Sequence, residues 1–150
     1  MNDEHWTRWR IELTAYGEYV ELSFEDVELH TDADVARWAS ELRLALGHYD
    51  RRVDVLLDLR GLLVDARCAP CCAERLGQLL GRYAAGIAYF GADERTVAAL
   101  EAGLGARAVH TGRLRSRAPA LQQLMLNRQR RLGSAFPVHI PQVGSDAISI

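Results

Sequence analysis

The most informative absences in this 150-residue chain concern lysine and long apolar segments. All 18 basic side chains are arginine, so each of them stays charged and can form paired hydrogen bonds to a carboxylate or a phosphate. The apolar runs span only a handful of residues, far short of the roughly 20 that cross a bilayer. The first ten residues are charged and contain no apolar signal segment. The sequence therefore predicts a cytoplasmic protein that does not contact a membrane and whose cysteines are reduced.

Carboxylates are missing from a long stretch near the end of the chain. None occurs between Ala102 and Ser145, where seven arginines are found. The net charge of −2 is nevertheless close to zero, so general nucleic-acid binding is not expected. The period-two spacing of Arg113, Arg115 and Arg117 favours an extended, solvated loop, with a site for a phosphate or an acidic partner as the alternative.

Motifs for nucleotides and metals are absent as well. No Gly-x-Gly-x-x-Gly sequence and no P-loop follows any predicted strand. The three cysteines lack the second pair that would complete a zinc site, and the adjacent Cys71 and Cys72 point about 100° apart on a helix. We therefore expect no metal and no cofactor.

Hydrophobic patterning predicts one mixed α/β domain over residues 1–132, followed by an irregular tail over residues 133–150. Alternating residues over 8–13 and 19–24 flank a turn that contains Gly17, which indicates a β-hairpin. The apolar run over residues 53–59 is typical of a central strand covered on both faces. The other predicted elements are a short strand at 27–29, a helix capped by Thr31 and Asp34 and ending at Gly47, a helix from Pro70 to Tyr83, a strand at 86–90, a helix after Asp93, a strand at 106–110 and a helix opened by Pro119.

The resulting order, ββ(β)αβαβαβα, predicts a mixed β-sheet with an N-terminal hairpin, parallel central strands and helices packed on the sheet. Residues 53–62, VDVLLDLRGL, and residues 87–91, IAYFG, resemble two strands of SpoIIAA-like and STAS-type domains, the family of anti-sigma-factor antagonists. The resemblance covers roughly residues 9–132. It implies a small, non-enzymatic binding module of bacterial regulation, with a protein as its partner.

One departure from the family pattern affects the expected mechanism. Family members that act as phosphorylation switches carry an aspartate followed by serines after the central strand. In this chain Asp65 is followed by Ala66, Arg67 and Cys68, so no hydroxyl is available there. A serine-phosphorylation switch at this position is not expected.

The surface predicted to bind a partner is the turn after the central strand, residues 58–72, together with the loop after Phe90. Its predicted binding residues, called the binding edge below, are Asp58, Arg60, Asp65, Arg67, Gly91 and Asp93. Asp58 and Asp65 lie nearest the crevice at the carboxyl end of the strand, but Arg60 and Arg67 are close enough to neutralise them as ion pairs. Self-association as a homodimer also stays open.

Two alternatives use the same segment. Cys68-Ala69-Pro70-Cys71 has the spacing of a dithiol redox motif, in which Cys68 would attack and Cys71 would resolve. Arg67 could lower the pKa of Cys68, but the aromatic residue and the later proline of thioredoxin-like proteins are missing, so packing of the cysteines at a helix start is favoured. The other alternative is a small-ligand-binding domain that uses the crevice at the end of the strand.

Overall fold

A computed structural model describes residues 8–104 and 116–135. Within these ranges the chain forms six strands and four helices. The strands are β1 (Arg10–Ala15), β2 (Val20–Glu25), β3 (Val27–Leu29), β4 (Val53–Asp58), β5 (Leu62–Val64) and β6 (Ala84–Phe90). The helices are α1 (Asp32–Leu46), α2 (Ala69–Tyr83), α3 (Glu94–Leu104) and α4 (Arg117–Ala135), and one 3-10 turn, Ala66–Cys68, precedes α2.

The main sheet has four strands in the order β1-β2-β4-β6. The pair β1–β2 is antiparallel, whereas β2–β4 and β4–β6 are parallel. The sequence-based prediction of a mixed sheet with an N-terminal hairpin and parallel central strands is therefore confirmed. The strand predicted over residues 106–110 lies outside the described residues.

The central strand β4 is covered on both faces, as its apolar sequence predicts. Val55 and Leu57 belong to the larger core, which contains buried residues of α1 and α2. Leu56 belongs to a smaller core with Leu124 of α4. Alternation along one strand therefore places successive side chains in two separate apolar layers.

Local signals at the hairpin and at the start of α1 are also found as predicted. Gly17 has φ +86°, a left-handed conformation that favours glycine, and the Tyr16 N–H donates to the Tyr19 carbonyl at 2.8 Å. The strands are nevertheless shifted by one or two residues from their predicted positions. At α1 the Thr31 hydroxyl accepts from the Asp34 N–H and the Asp34 carboxylate accepts from the Thr31 N–H, both at 3.1 Å.

The strand β5 is the element that the sequence analysis missed, because residues 62–64 follow a strand closely and were assigned to a turn. They pair in parallel with β3, Val27 opposite Leu62 and Leu29 opposite Val64, as a separate two-stranded sheet. Gly61 makes this pairing feasible, since a Cβ at that position would collide with the Phe24 carbonyl oxygen. The sharp turn thereby brings β5 directly against the end of the hairpin.

The last helix, α4, extends to Ala135, and residues 136–150 lie outside the described part of the chain. In the described residues no helix combines the length and the apolar character needed to cross a membrane.

Candidate functional site

The carboxyl ends of β4 and β6 lie side by side. Asp58 is paired with Phe90 in the parallel register, and the Leu59 N–H donates to the Phe90 carbonyl at 3.0 Å. A tight turn follows at once, in which the Leu62 N–H donates to the Leu59 carbonyl at 3.2 Å. This geometry places the side chain at turn position 60 beside the loop that follows β6.

Arg60 and Asp58 form a bidentate ion pair at this point. Arg60 Nε donates to Asp58 Oδ1 at 2.9 Å, and Arg60 Nη2 donates to Oδ2 at 2.7 Å. The backbone N–H of Arg60 adds a third hydrogen bond to Oδ1 at 3.2 Å. Burial acts to raise the pKa of Asp58, but the hydrogen bonds from Arg60 outweigh it and hold that pKa below its usual value. Asp58 is therefore an ionised carboxylate that fixes an arginine.

The aliphatic stem and the guanidinium of Arg60 are also held from the other strand. The guanidinium carbon lies 5.5 Å from the centroid of the Phe90 ring, within the range of a cation–π contact. Gly91 has φ +80°, and a Cβ at Gly91 would collide with Cγ of Arg60. Glycine at this position therefore leaves the space in which the arginine stem lies.

Asp93 has a structural role next to this cluster. Its Oδ1 accepts a hydrogen bond from the Thr96 N–H at 2.7 Å, and its carbonyl accepts from the Val97 N–H at 2.9 Å. These bonds satisfy N–H groups that would be free at the start of α3. Asp93 fixes the direction in which α3 leaves the loop after β6.

Asp65 and Arg67 form a second bidentate pair at the end of β5. Arg67 Nε and Nη2 donate to the two oxygens of Asp65 at 3.2 and 3.0 Å, and the backbone N–H of Arg67 donates to Oδ1 at 2.9 Å. The Asp65 N–H donates to the Leu29 carbonyl at 2.9 Å, which ties the pair to β3. Hydrogen bonds from Arg67 hold the pKa of Asp65 well below its usual value.

His30 joins the second pair, although no sequence signal had marked it. Its Nε2 lies 3.0 Å from Glu28 Oε1, and its Nδ1 lies 3.6 Å from Asp65 Oδ2. The hydrogen bond with Glu28 is the main cause that raises the pKa of His30 above 6.5. Finding His30 from the sequence would have required the β3–β5 pairing, since that pairing is what brings residues 30 and 65 together.

The predicted binding edge thus divides into two clusters. Asp58, Arg60 and Gly91 meet at the end of β4 and β6, whereas Asp65 and Arg67 meet His30 at the end of β3 and β5. In the described ranges no hydrogen bond joins the two clusters. Leu63 lies on the short strand between them in sequence and is 40% exposed, which makes it an apolar contact point that the sequence analysis did not single out.

No disulfide joins Cys68, Cys71 and Cys72, and these side chains are mostly inaccessible. Cys68 and Cys72 are buried and Cys71 is half-buried. The Cys68 thiol donates to the Leu29 carbonyl at 3.0 Å, and burial raises its pKa. Burial likewise raises the pKa of Cys72 to about 12. The pKa of Cys68 is thus raised and not lowered as the redox alternative requires, and the Arg67 guanidinium is bound to Asp65.

Metal-binding side chains do not converge in the described part of the chain, where no three or more His, Cys, Asp or Glu residues are arranged to hold an ion. Of the three arginines spaced by two, Arg113 and Arg115 lie outside that part. Arg117 is half-buried rather than in a solvated loop. It donates to Glu21 Oε1 at 2.8 Å and to the Tyr19 hydroxyl at 2.7 Å, which anchors the start of α4 to β2.

Comparison with solved structures identifies the architecture. A variant of RsbS from Moorella thermoacetica superimposes with a TM-score of 0.51 at 20% sequence identity, over 80% of this chain and 98% of that chain. This chain has the STAS/SpoIIAA-like fold. A DUF3478-family protein from Shewanella loihica PV-4, described as having a SpoIIAA-like fold, matches with a TM-score of 0.48 at 20% identity, over 77% of this chain and 93% of that chain. A scan against protein-family models and a search of the curated proteins give no match.

The STAS/SpoIIAA-like fold confirms the resemblance that was inferred from VDVLLDLRGL and IAYFG. These two segments are β4 with its turn and the end of β6 with Gly91. The first cluster of the binding edge, Asp58, Arg60 and Gly91, therefore lies at the ends of the strands that carried the resemblance.

Proposed function

We propose that this chain is a non-enzymatic regulatory module of bacterial signalling that binds a protein partner through the binding edge. The observation that carries the proposal is the state of Arg60. Its side chain is 68% exposed, yet three hydrogen bonds to Asp58 and the contact with the Phe90 ring fix its position.

An exposed arginine that is already ordered suits a protein interface. Immobilising a flexible side chain on binding costs on the order of 1 kcal/mol, and much of this cost is already met at Arg60. Arginine is also enriched among the residues that dominate binding energies. The exposed Leu63 and the second charged pair extend the surface, so that apolar and charged contacts are available to one partner.

The proposed module binds without a serine switch. In the 3-10 turn that leads into α2, the residue after Asp65 is Ala66, which has no hydroxyl to phosphorylate. Asp65 instead accepts three hydrogen bonds from Arg67. We infer that the partner meets a surface whose charge is not changed by phosphorylation at residue 66.

The two alternatives have less support. Thiol–disulfide exchange needs an accessible thiolate, whereas Cys68 is buried, donates its S–H to a backbone carbonyl and has a raised pKa. A ligand in the crevice at the end of β4 would compete with the Arg60 side chain, which lies across Phe90 and Gly91. No described contact favours either alternative over protein binding.

The test compares two arginine variants of the full chain as bait in the organism that encodes it. Arg60→Ala removes the fixed cation of the binding edge, and Arg75→Ala removes an exposed arginine of α2 as the matched control. The proposal predicts a partner that is enriched at least about tenfold less by Arg60→Ala than by the control, as loss of a charged contact implies. Equal enrichment by both variants, or no specific partner for the unmodified chain, would contradict it.

A further inference from the structure

A third polar cluster, apart from the two of the binding edge, lies at the opposite end of β4 around the buried Asp54. Arg131 Nη2 donates to both carboxylate oxygens of Asp54, at 2.8 and 2.9 Å, and Arg128 Nε lies 3.4 Å from Oδ2. Asp54 is 4% exposed. One buried carboxylate therefore holds two arginines of α4 against the amino end of the central strand.

The neighbouring strand leaves room for this arrangement. Gly86 of β6 is the register partner of Asp54. A Cβ at Gly86 would meet Asp54 Oδ1 at 2.6 Å and Arg131 Nη1 at 2.8 Å, both too close for an unstrained contact. Glycine is thus required at this position because a side chain would occupy the space in which Asp54 and Arg131 meet. The strand conformation itself does not require it.

A cavity of about 390 Å³ opens beside this cluster. It lies between the hairpin turn, the start of β4 and the last turns of α4. The charged residues that line it are Arg51, Arg52, Arg128, Arg131, Glu18 and Asp54. Four arginines and two acidic residues therefore line the cavity, which gives its lining a surplus of positive charge. We call this cavity the arginine pocket.

Two of these arginines have no hydrogen-bond or ion-pair partner in the described residues. Arg51 and Arg52 are exposed and form no hydrogen bond or ion pair within residues 8–104 and 116–135. By contrast, Arg128 and Arg131 are fixed by Asp54, and Arg128 also lies 3.7 Å from Glu18. The pocket thus combines two preordered arginines with two that are free to close on a ligand.

We propose that the arginine pocket binds a small organic phosphate, with Arg51 and Arg52 contacting the phosphate group. Guanidinium groups donate paired hydrogen bonds to phosphate oxygens, and the volume lies in the range of small-molecule sites. Tyr19, Tyr49 and Val53 also line the pocket and can supply apolar surface for the remainder of the ligand. Asp54 acts as a positioning residue, because it holds Arg128 and Arg131 in ion pairs. Arg51 and Arg52 are then the arginines that remain to contact the phosphate.

This site is separate from the binding edge. Asp54 and Asp58 stand near opposite ends of β4, four residues apart, which corresponds to about 13 Å along an extended strand. Binding in the arginine pocket therefore does not depend on Arg60. An acidic protein segment could use the same charges, and the test has to separate it from a small phosphate.

The test is calorimetric titration of the full chain with inorganic pyrophosphate at constant ionic strength. The variant Arg51→Ser with Arg52→Ser removes the free cations, and Arg75→Ser with Arg82→Ser removes two exposed arginines of α2 as a control with the same change in charge. We expect saturable binding that weakens at least about tenfold in the first variant, as loss of charged hydrogen bonds implies, and less than about twofold in the control. Amide NMR shifts at Gly17, Ala85 and Val53 should accompany binding.

Three results would overturn the proposal. One is the absence of saturable pyrophosphate binding in the unmodified chain, and another is an equal loss of affinity in both variants. The third is binding of a poly-glutamate peptide at the pocket with no response to pyrophosphate, which would assign the charges to an acidic protein segment. Arg60→Ala serves as a further control, because it should leave pyrophosphate binding unchanged.

Discussion

Asp58 holds the guanidinium of Arg60 through both of its carboxylate oxygens, at 2.9 and 2.7 Å, at the point where the central strand ends. Asp58 is 8% exposed, whereas most of the Arg60 side chain is in solvent. In this ion pair the carboxylate is therefore buried and the arginine side chain is exposed. This asymmetry predicts different consequences for stability and for binding when Arg60 is changed.

Removing Arg60 should make the chain less stable at neutral pH but less sensitive to acid. In the unmodified chain the pKa of Asp58 lies below 3.8, so its contribution to stability is present above that pH and is lost as the pH falls through the lower, folded-state value. In Arg60→Ala the side-chain hydrogen bonds and the charge of Arg60 are lost, so burial is opposed only by the backbone N–H of residue 60 and by the charge of Arg117, and the pKa of Asp58 rises. The folded-state carboxylate then takes up a proton more readily, so the free energy of unfolding should fall less between pH 6 and pH 4 than in the unmodified chain, by at most about 1 kcal/mol.

Urea titrations at the two pH values measure this difference, and Arg60→Lys provides the control. Lysine keeps the charge but lacks the paired donors. The fall in the free energy of unfolding between the two pH values should therefore lie between those of Arg60→Ala and the unmodified chain. An identical pH dependence in Arg60→Ala and the unmodified chain would show that the ion pair does not control the ionisation of Asp58.

The two glycines with left-handed φ offer a matched pair for measuring the contact between Arg60 and Gly91. Gly17→Ala should cost about 1 kcal/mol from backbone strain alone, because a Cβ there meets nothing within 4 Å. Gly91→Ala should cost clearly more, since its Cβ also collides with the Arg60 stem. Thermal unfolding of both variants provides the measurement, and equal losses would mean that Arg60 moves aside freely.

His30 should confer a small pH dependence of opposite sign to that of Asp58. Its pKa is raised above 6.5 by Glu28, so it adds stability below pH 6.5 that is lost as the pH rises through the higher folded-state value. Because its side chain is 42% exposed, the effect should stay below about 1 kcal/mol. NMR titration of the ring should give a pKa that falls in Glu28→Gln, and an unchanged pKa would contradict the assigned cause.

The cysteines should behave as packing residues. In the native, reduced chain Cys71 should react with a thiol reagent faster than Cys68 and Cys72, because it is the half-buried one. Cys71→Ala should remove the fast reaction. Mass spectrometry after mild oxidation should show the chain without an internal disulfide, and a Cys68–Cys71 bond formed in the native state would revive the redox alternative.

The sequence predicted those features that depend on neighbours along the chain. The apolar run that became β4, the capping box of Thr31 and Asp34, and the two arginines that neutralise Asp58 and Asp65 are all local patterns. Each of them involves residues within a few positions, where periodicity and side-chain length are informative.

The features that the sequence analysis missed depend on residues far apart in the chain. The three-residue strand β5 is stabilised by pairing with β3, in which Leu62 lies opposite Val27, 35 positions earlier in the chain. This pairing brings His30 close to Asp65. Arg131 reaches Asp54 across 77 positions. Such contacts follow from the topology, which a short apolar segment or an isolated arginine does not reveal.

The central claim, that a protein partner binds at the binding edge, is tested most directly by photo-crosslinking in the organism that encodes the chain. A photoreactive phenylalanine analogue replaces Leu63, which is 40% exposed beside Arg67 and Asp65 in sequence, or Leu44 of α1, which is 72% exposed. The account predicts a discrete crosslinked protein from position 63 that is lost when Arg60→Ala is added, and none from position 44. The same adduct from both positions, or an adduct from position 63 that survives Arg60→Ala, would contradict it.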